Sequence, residues 1–163
     1  MNTRNPNVHL LGVLLTLAVL LIPSSTWSLG SPSVVEKLRS EANALPPGEE
    51  RLQLLRKLVR SSQMSKEGID DSRQLLHEAQ EANDDSLVAY SVAFLINHLF
   101  AQSERDIDSI RYWTSYALPI AQRCQYWPMY FQMKYTLIQT YIYAHSYEYA
   151  KDEARQMVSE AKE

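Results

Sequence analysis

Glycine is scarce in this chain, and none occurs after Gly68. Loops that cradle phosphate groups need several glycines, because their backbone N–H groups must converge on the ligand. The sequence therefore excludes a P-loop and a dinucleotide-binding turn. Short runs that alternate between apolar and polar residues are also few, which argues against β-sheet. With β-sheet disfavoured, α-helix is the remaining regular structure, and we predict an all-α protein.

Residues 1–28 predict export. An uncharged apolar stretch covers residues 10–22, after a short leader whose only basic residue is Arg4. A helix needs about 20 apolar residues to span a bilayer, so this stretch is short for an anchor and is typical of a signal peptide. Thr26 and Ser28 supply the small side chains expected before a cut that follows Ser28. An uncleaved anchor is the alternative, and in both cases we expect a periplasmic or extracellular protein.

The charge of the chain excludes one class of partner. The formal net charge is −3, and removal of Arg4 with the signal peptide makes it one unit more negative. The Lys and Arg residues of the chain are scattered and form no basic stripe that could neutralise phosphates, so we expect no nucleic-acid partner. Cys124 is the only cysteine. We expect it to be buried and inert, in a fold held by packing alone.

Helix start and stop signals divide the exported part in two. A short N-terminal helix and linker occupy 29–47, and a helical domain follows over 48–163. Leu52, Leu55, Leu58 and Val59 form an apolar stripe on one predicted helix of that domain. The other predicted signals are capping boxes at Ser33 and Ser103, an N-cap at Asp84 or Asp85, a kink at Pro119 and a helix start at Trp127-Pro128.

Three segments of the helical domain resemble one another and predict repeated helical hairpins. They cover 70–82, 108–121 and 147–161, and their landmark residues are Ala79, Ala117 and Met157. The landmarks are about 40 residues apart, and periods of roughly 20 to 50 residues are typical of solenoids. In such arrays each helix pair buries its apolar face against the next pair.

The run YIYAHSYEYAKDEA over 141–154 predicts the turn of the last hairpin. An aromatic helix should end at His145-Ser146, with small residues recurring on the next helix so that the two can approach closely. This unit resembles a tetratricopeptide repeat. The matching positions are Leu137 and Tyr141 in the first helix, Tyr147 in the turn, and Ala150 and Ala154 in the second helix.

The resemblance implies a tetratricopeptide-like α-solenoid of about three hairpins over 48–163. The chain is also similar to the extracytoplasmic helical-repeat sensor region of bacterial signalling proteins, including sensor histidine kinases. In those proteins further repeats, a membrane helix and an output domain follow. We therefore expect the front part of a longer array, or a truncated version of one. A membrane contact is expected only through an uncleaved N-terminal segment or a missing C-terminal part.

Residue patterns that carry chemistry are missing from the sequence. His77, His98 and His145 fall on different predicted elements, and no two histidines have the spacing of a helical metal site. No pair of carboxylates and no nucleophile elbow stands out. We expect no catalytic residue, no cofactor and no metal site.

The aromatic residues point instead to binding. Nine of the ten tyrosines fall between Tyr112 and Tyr149, and most should fill grooves between helices. In a tetratricopeptide-like register the concave face is lined by Gln132, Tyr135, Gln139 and Tyr143. These side chains can stack on and hydrogen-bond an extended peptide or a sugar, although Tyr135 also falls on the apolar stripe of its helix.

We therefore predict a non-catalytic interaction or ligand-sensing module. Its expected partner is a protein or peptide, with a glycan or small ligand as alternatives. A second hypothesis is an exported all-α enzyme or carbohydrate-binding domain that uses the Tyr/Trp cluster with Asp106 or Asp108. A third is a purely structural spacer.

Overall fold

A computed structural model describes residues 32–62 and 65–162 of the protein. In these ranges the chain forms seven helices and no strand, which confirms the predicted all-α class. The helices are α1 Pro32–Ala44, α2 Glu49–Ser61, α3 Glu67–Glu81, α4 Asp85–Ala101, α5 Ile107–Arg123, α6 Trp127–Tyr143 and α7 Tyr147–Glu160. None of these seven is both long and apolar enough to cross a membrane. The predicted signal peptide, 1–28, lies outside the described residues.

Two aspartates fix the starts of the central helices. The Asp84 carboxylate accepts a hydrogen bond from the Leu87 N–H at 2.9 Å, which confirms the predicted N-cap of α4. The Asp106 carboxylate accepts from the Ser109 N–H at 2.9 Å and from the Ser109 hydroxyl at 2.6 Å at the start of α5. Each cap satisfies a backbone donor that the first turn of a helix leaves free.

Both predicted capping boxes are placed wrongly. Asp106, and not Ser103, caps α5, because the chain remains irregular up to Asp106. Helix α1 already includes Pro32, so Ser33 lies inside the helix and does not precede it. The motif of a hydroxyl followed by an acid is short, and it occurs here without the backbone conformation that a cap requires.

Three helices end in the same kind of turn, through a non-glycine residue with positive φ. These residues are Asn83, Gln125 and His145, with φ of 54°, 56° and 57°. In each turn the following N–H donates to a carbonyl five residues earlier: Asp84 to Ala79, Tyr126 to Ala121 and Ser146 to Tyr141, at 2.8 to 3.0 Å. This bond closes the helix end, and the next helix begins at the following residue. The repeated turn sets the angle between successive helices without glycine.

The turns differ from the alignment predicted for the first two similar segments. Ala79 and Ala121 accept the equivalent hydrogen bond, so the structure pairs Ala79 with Ala121 and not with Ala117. Ala117 and Ala121 are one turn apart and are both fully buried. Because small residues recur on the same helix face, the sequence alone could not distinguish the two alignments.

Two further local predictions differ from the structure. Helix α6 ends at Tyr143, earlier than predicted, and the turn that follows leads into α7 at Tyr147. Cys124 is half-buried and not fully buried, with its thiol 3.6 Å from the Ala121 carbonyl oxygen. It follows α5 directly, at the edge of the turn, where neighbouring helices cannot cover it completely.

The packing order places α4 at the centre. Each helix packs on the next along the chain, and α4 also contacts both α2 and α6. Every residue from Leu87 to Ile96 is buried, so α4 is apolar on nearly all sides and not only along one stripe. The predicted core stripe of α2, Leu52, Leu55, Leu58 and Val59, is confirmed as buried.

Helix α1 covers the outer face of α2. Ala42 is fully buried there, with Val35 and Leu38 packed against the same core. Arg39 donates two hydrogen bonds to the Asp71 carboxylate of α3, at 3.0 Å and 2.8 Å. Asp71 is buried, so this two-pronged pair compensates a carboxylate that would otherwise be costly to remove from water.

Candidate functional site

The four predicted ligand-binding residues all lie on α6. We call Gln132, Tyr135, Gln139 and Tyr143 the α6 stripe. The rings of Tyr135 and Tyr143 are 41% and 54% exposed, so neither tyrosine is core. The Gln139 amide donates to the Tyr135 hydroxyl at 2.9 Å. Gln132 and Gln139 are half-buried. Tyr135 and Gln139 therefore form one polar and aromatic surface, with Tyr143 about one turn further along α6.

The structure adds Arg105 to this surface. Arg105 belongs to the loop between α4 and α5, and its guanidinium carbon lies 3.8 Å from the ring centre of Tyr143. The Phe100 ring at the end of α4 lies 4.9 Å from the same carbon. Such cation–π contacts contribute about 0.5 to 2 kcal/mol each. They fix the guanidinium against the end of the α6 stripe.

One donor of Arg105 has no acceptor. Its Nε atom is buried and makes no hydrogen bond within the part of the chain that the structure describes. A buried donor without an acceptor costs roughly 1 to 3 kcal/mol. A buried donor of this kind is completed by a water, an ion or a ligand.

A face of α6 next to the stripe is fixed by packing on α4. The Thr136 hydroxyl donates to the Asn97 side-chain oxygen of α4 at 2.9 Å. Met133, Thr140 and Leu137 are buried on this side. Because α6 is anchored here, the neighbouring stripe is held on a rigid element.

A buried lysine ties α6 to α7. The Lys134 ammonium lies 3.0 Å from the Glu160 carboxylate and 3.8 Å from that of Glu153. The Tyr130 hydroxyl also donates to Glu160 at 3.0 Å. Burial and this carboxylate raise the pKa of Tyr130 to about 12. Burial would raise the pKa of Glu160, but its hydrogen bonds from Lys134 and Tyr130 outweigh that effect and lower it.

A second arginine stacks on a ring near the start of α6. The Arg56 guanidinium carbon of α2 lies 4.9 Å from the ring centre of Tyr90 on α4. One of its nitrogens lies 3.5 Å from the hydroxyl of Tyr126, the residue before α6. Burial raises the pKa of Tyr90, and the charges of Arg56 and Arg60 partly oppose this. Arg56 therefore joins α2, α4 and the start of α6.

An open cleft lies elsewhere, between α3, α4 and α5. Its volume is about 340 Å³, and it is lined by Gln80, Asn83, Asp85, Val88, Tyr116 and Ile120. The Gln80 amide already donates to the Tyr116 hydroxyl at 2.8 Å. The sequence did not predict this cleft, because its walls come from three helices that share no motif.

Asp106 and Asp108, the two carboxylates of the enzyme hypothesis, each make a local contact near the start of α5. Asp106 is an exposed helix cap, and its hydrogen bonds from Ser109 lower its pKa. Asp108 is exposed and lies 3.8 Å from Arg111. Trp113 packs edge-on against the tyrosines on either side of it on α5, whereas Trp127 packs against Tyr130 and Phe131 on α6.

The three histidines of the described chain lie apart. His77 is exposed beside Glu81, and the His145 ring bonds the Tyr147 hydroxyl. His98 is 1% exposed, and its ring fills the space that the missing side chain of Gly68 leaves. Burial lowers the pKa of His98 to about 4. No group of three His, Cys, Asp or Glu residues in the described ranges could hold a metal ion.

Comparisons with known proteins found no match among protein-family models, curated proteins or solved structures.

Proposed function

We propose that the protein is an exported, non-catalytic interaction module that binds an extended segment of a partner protein along the exposed face of α6, beside Arg56 of α2 and Arg105 of the loop between α4 and α5. The α6 stripe is the centre of this surface. The module has the tetratricopeptide-like arrangement of three hairpins: α2 with α3, α4 with α5, and α6 with α7. It forms the sensing or scaffolding part of a periplasmic protein.

The packing order supports the arrangement of hairpins. Helix α4 contacts α2 and α6 in addition to its neighbours in the chain. Solenoids of helical hairpins have this feature, because the first helix of each hairpin packs on the first helix of the next. The matching turns after α3 and α5 also favour a repeated unit.

The exposure of the α6 stripe is the observation that carries the proposed binding. Tyr135 and Tyr143 remain exposed, although α6 packs against α4. Tyrosine contacts ligands with large area at small entropic cost, and Gln139 beside Tyr135 offers donors and acceptors to a peptide backbone. The surface therefore suits an extended peptide.

A random-peptide display library tests the proposal. The purified protein is the target, and selected clones are measured again on two double variants. Tyr135→Ala/Tyr143→Ala removes both rings of the α6 stripe. Tyr112→Ala/Tyr149→Ala is the matched control, since these tyrosines are 64% and 68% exposed on other helices.

We expect enriched clones that bind the parent and the control variant but lose most of their affinity for the stripe variant. Clones that bind all three proteins equally would contradict the proposed site. Failure to enrich any clone would contradict peptide binding and favour a structural spacer. Circular dichroism of both variants shows whether the fold is retained.

A further inference from the structure

We propose that the bound segment is acidic, and that Arg105 and Arg56 hold its carboxylates at opposite ends of α6. This inference rests on the proposed function, because it names the chemistry of the peptide that the same surface takes.

The two arginines differ from most others in the described chain. Six arginines each lie within 4 Å of a carboxylate: Arg39, Arg51, Arg73, Arg111, Arg123 and Arg155. Within the described ranges, Arg56, Arg60 and Arg105 have no such partner. Arg60 is exposed, whereas Arg56 and Arg105 are half-buried and stacked on aromatic rings. The chain is acidic overall, so these half-buried cations without a carboxylate are conspicuous.

The stacking prepares both guanidiniums for a carboxylate. A ring covers the flat face of a guanidinium and leaves its N–H edge available for in-plane acceptors. Arg105 is held between Phe100 and Tyr143. Little side-chain entropy is then lost when an anion binds. Two parallel N–H···O bonds to one carboxylate match the planar fork of arginine.

Arg105 also has a hydrogen bond to gain. Its Nε–H is buried without an acceptor, beneath the ring of Tyr143, which is 54% exposed. In the proposed complex the Tyr143 ring turns aside, and the carboxylate reaches the edge formed by Nε and one terminal nitrogen. A carboxylate that binds this edge satisfies the donor that the free protein leaves unpaired.

The positions of the two arginines set the length of the ligand. Arg56 meets Tyr126 just before α6, and Arg105 meets Tyr143 at its last residue. Helix α6 has 17 residues, which corresponds to about 25 Å. An extended peptide covers that distance with about seven or eight residues. The ligand therefore carries acidic residues near both ends of such a segment, with the α6 stripe contacting its middle.

Fluorescence anisotropy with two labelled peptide pools tests this inference. Both pools have blocked termini and about eight residues, with a mixture of small and apolar residues in the middle. One pool has Asp or Glu at both ends, and the other has Asn or Gln. The variants are Arg105→Gln and Arg56→Gln, with Arg155→Gln as the control because that arginine belongs to an exposed pair on α7.

On the parent protein and on Arg155→Gln, we expect the affinity of the acidic pool to be at least tenfold higher than the affinity of the neutral pool. Each of Arg105→Gln and Arg56→Gln should lower that affinity by roughly tenfold or more, the loss expected for a hydrogen-bonded charge. On the unmodified protein, raising NaCl from about 0.05 to 0.5 M should weaken the acidic pool and leave the neutral pool nearly unchanged. This salt measurement holds even if an arginine variant does not fold.

Two outcomes overturn the inference and are distinguishable. In the first outcome, both pools bind equally well, and neither the arginine variants nor salt changes the affinity, but Tyr135→Ala/Tyr143→Ala abolishes binding. This result refutes the acidic ligand and leaves the proposed function intact. No binding of either pool refutes both the acidic ligand and peptide binding at this surface.

Discussion

The N-terminal and C-terminal ends of the described helical region differ in how well their helices are covered. At the N-terminal end, α1 covers α2 and is clamped to α3 by the two hydrogen bonds between Arg39 and Asp71. At the C-terminal end, Ala150 is the one residue of α7 that is fully buried. Most of the exposed large apolar side chains also lie there: Trp127, Tyr135, Ile142, Tyr143, Tyr147, Tyr149 and Val158.

This difference indicates that separate regions of the molecule provide its stability and its binding surface. The core around α4 and the covered N-terminal end hold the fold together, whereas the C-terminal hairpin presents aromatic rings to solvent. Contiguous exposed apolar surface is typical of interaction sites. Substitutions should therefore affect stability strongly near α4 and α1 and weakly on the outer faces of α6 and α7.

The largest expected effect comes from the centre. Leu95→Ala removes a fully buried side chain of α4 and should lower the free energy of unfolding by about 2 to 5 kcal/mol, because it leaves a cavity. Ile142→Ala is the control, since Ile142 is 49% exposed and should cost less than about 1 kcal/mol. Urea unfolding measures both. Equal losses would mean that the C-terminal hairpin is packed as tightly as α4.

The next effect is a loss of stability in acid. Burial lowers the pKa of His98 from 6.5 to about 4, so the unfolded chain binds a proton more readily than the folded one. Stability should fall as the pH drops from about 6.5 to 4, by about 3 kcal/mol from this residue. Urea unfolding at several pH values measures the slope.

His98→Gln supplies the comparison for that slope. The variant loses the titrating ring, so its stability should change less than that of the parent over the same pH range. Identical pH profiles for the two proteins would show that His98 is not buried in its neutral form.

A smaller loss should follow from opening the N-terminal end. Asp71→Asn replaces the buried partner of Arg39 and should lower the free energy of unfolding by about 2 kcal/mol. The reason is that the Arg39 guanidinium then lacks a carboxylate to compensate its charge. Hydrogen exchange should then accelerate mainly in α1. Asp152→Asn breaks an exposed pair with Arg155 and should change little. Unchanged exchange in α1 after Asp71→Asn would contradict the clamp.

The smallest effect is expected on the outer face of α7. Val158 is 49% exposed, so Val158→Lys should change the free energy of unfolding by less than about 0.5 kcal/mol. Thermal unfolding followed by circular dichroism provides the measurement. A large drop in melting temperature would mean that this face is covered in solution.

Two helix starts were predicted correctly from the sequence, because these starts carry local chemistry. The Asp84 cap and the proline after Trp127 act within one turn, so they can be recognised without the fold. The turns at Gln125 and His145 could not be predicted from the sequence, because neither position holds the glycine that usually marks a turn with positive φ. Both residues adopt positive φ, at a conformational cost that tertiary packing outweighs. The alignment of Ala79 with Ala121 likewise depends on these turns.

The candidate site was predicted only in part. The spacing of Tyr135, Gln139 and Tyr143 on one helix indicated a shared face, and the structure places the first two in hydrogen-bond contact. Arg105 could not be found in this way. Its contact with Tyr143 joins a loop to a helix far along the chain, and no periodic pattern relates the two. The export signal and the sensing role stay predictions.

The central claim is that α4 lies between α2 and α6 and holds the α6 stripe in place. Disulfide cross-linking of Asn97→Cys/Thr136→Cys, with Cys124 replaced by Ser, tests it directly, because these side chains meet at 2.9 Å across α4 and α6. The account predicts rapid formation of an intramolecular disulfide under mild oxidation, and none in the control Asn97→Cys/Ser159→Cys. A pair at 97 and 136 that stays reduced, or links only between molecules, would contradict it.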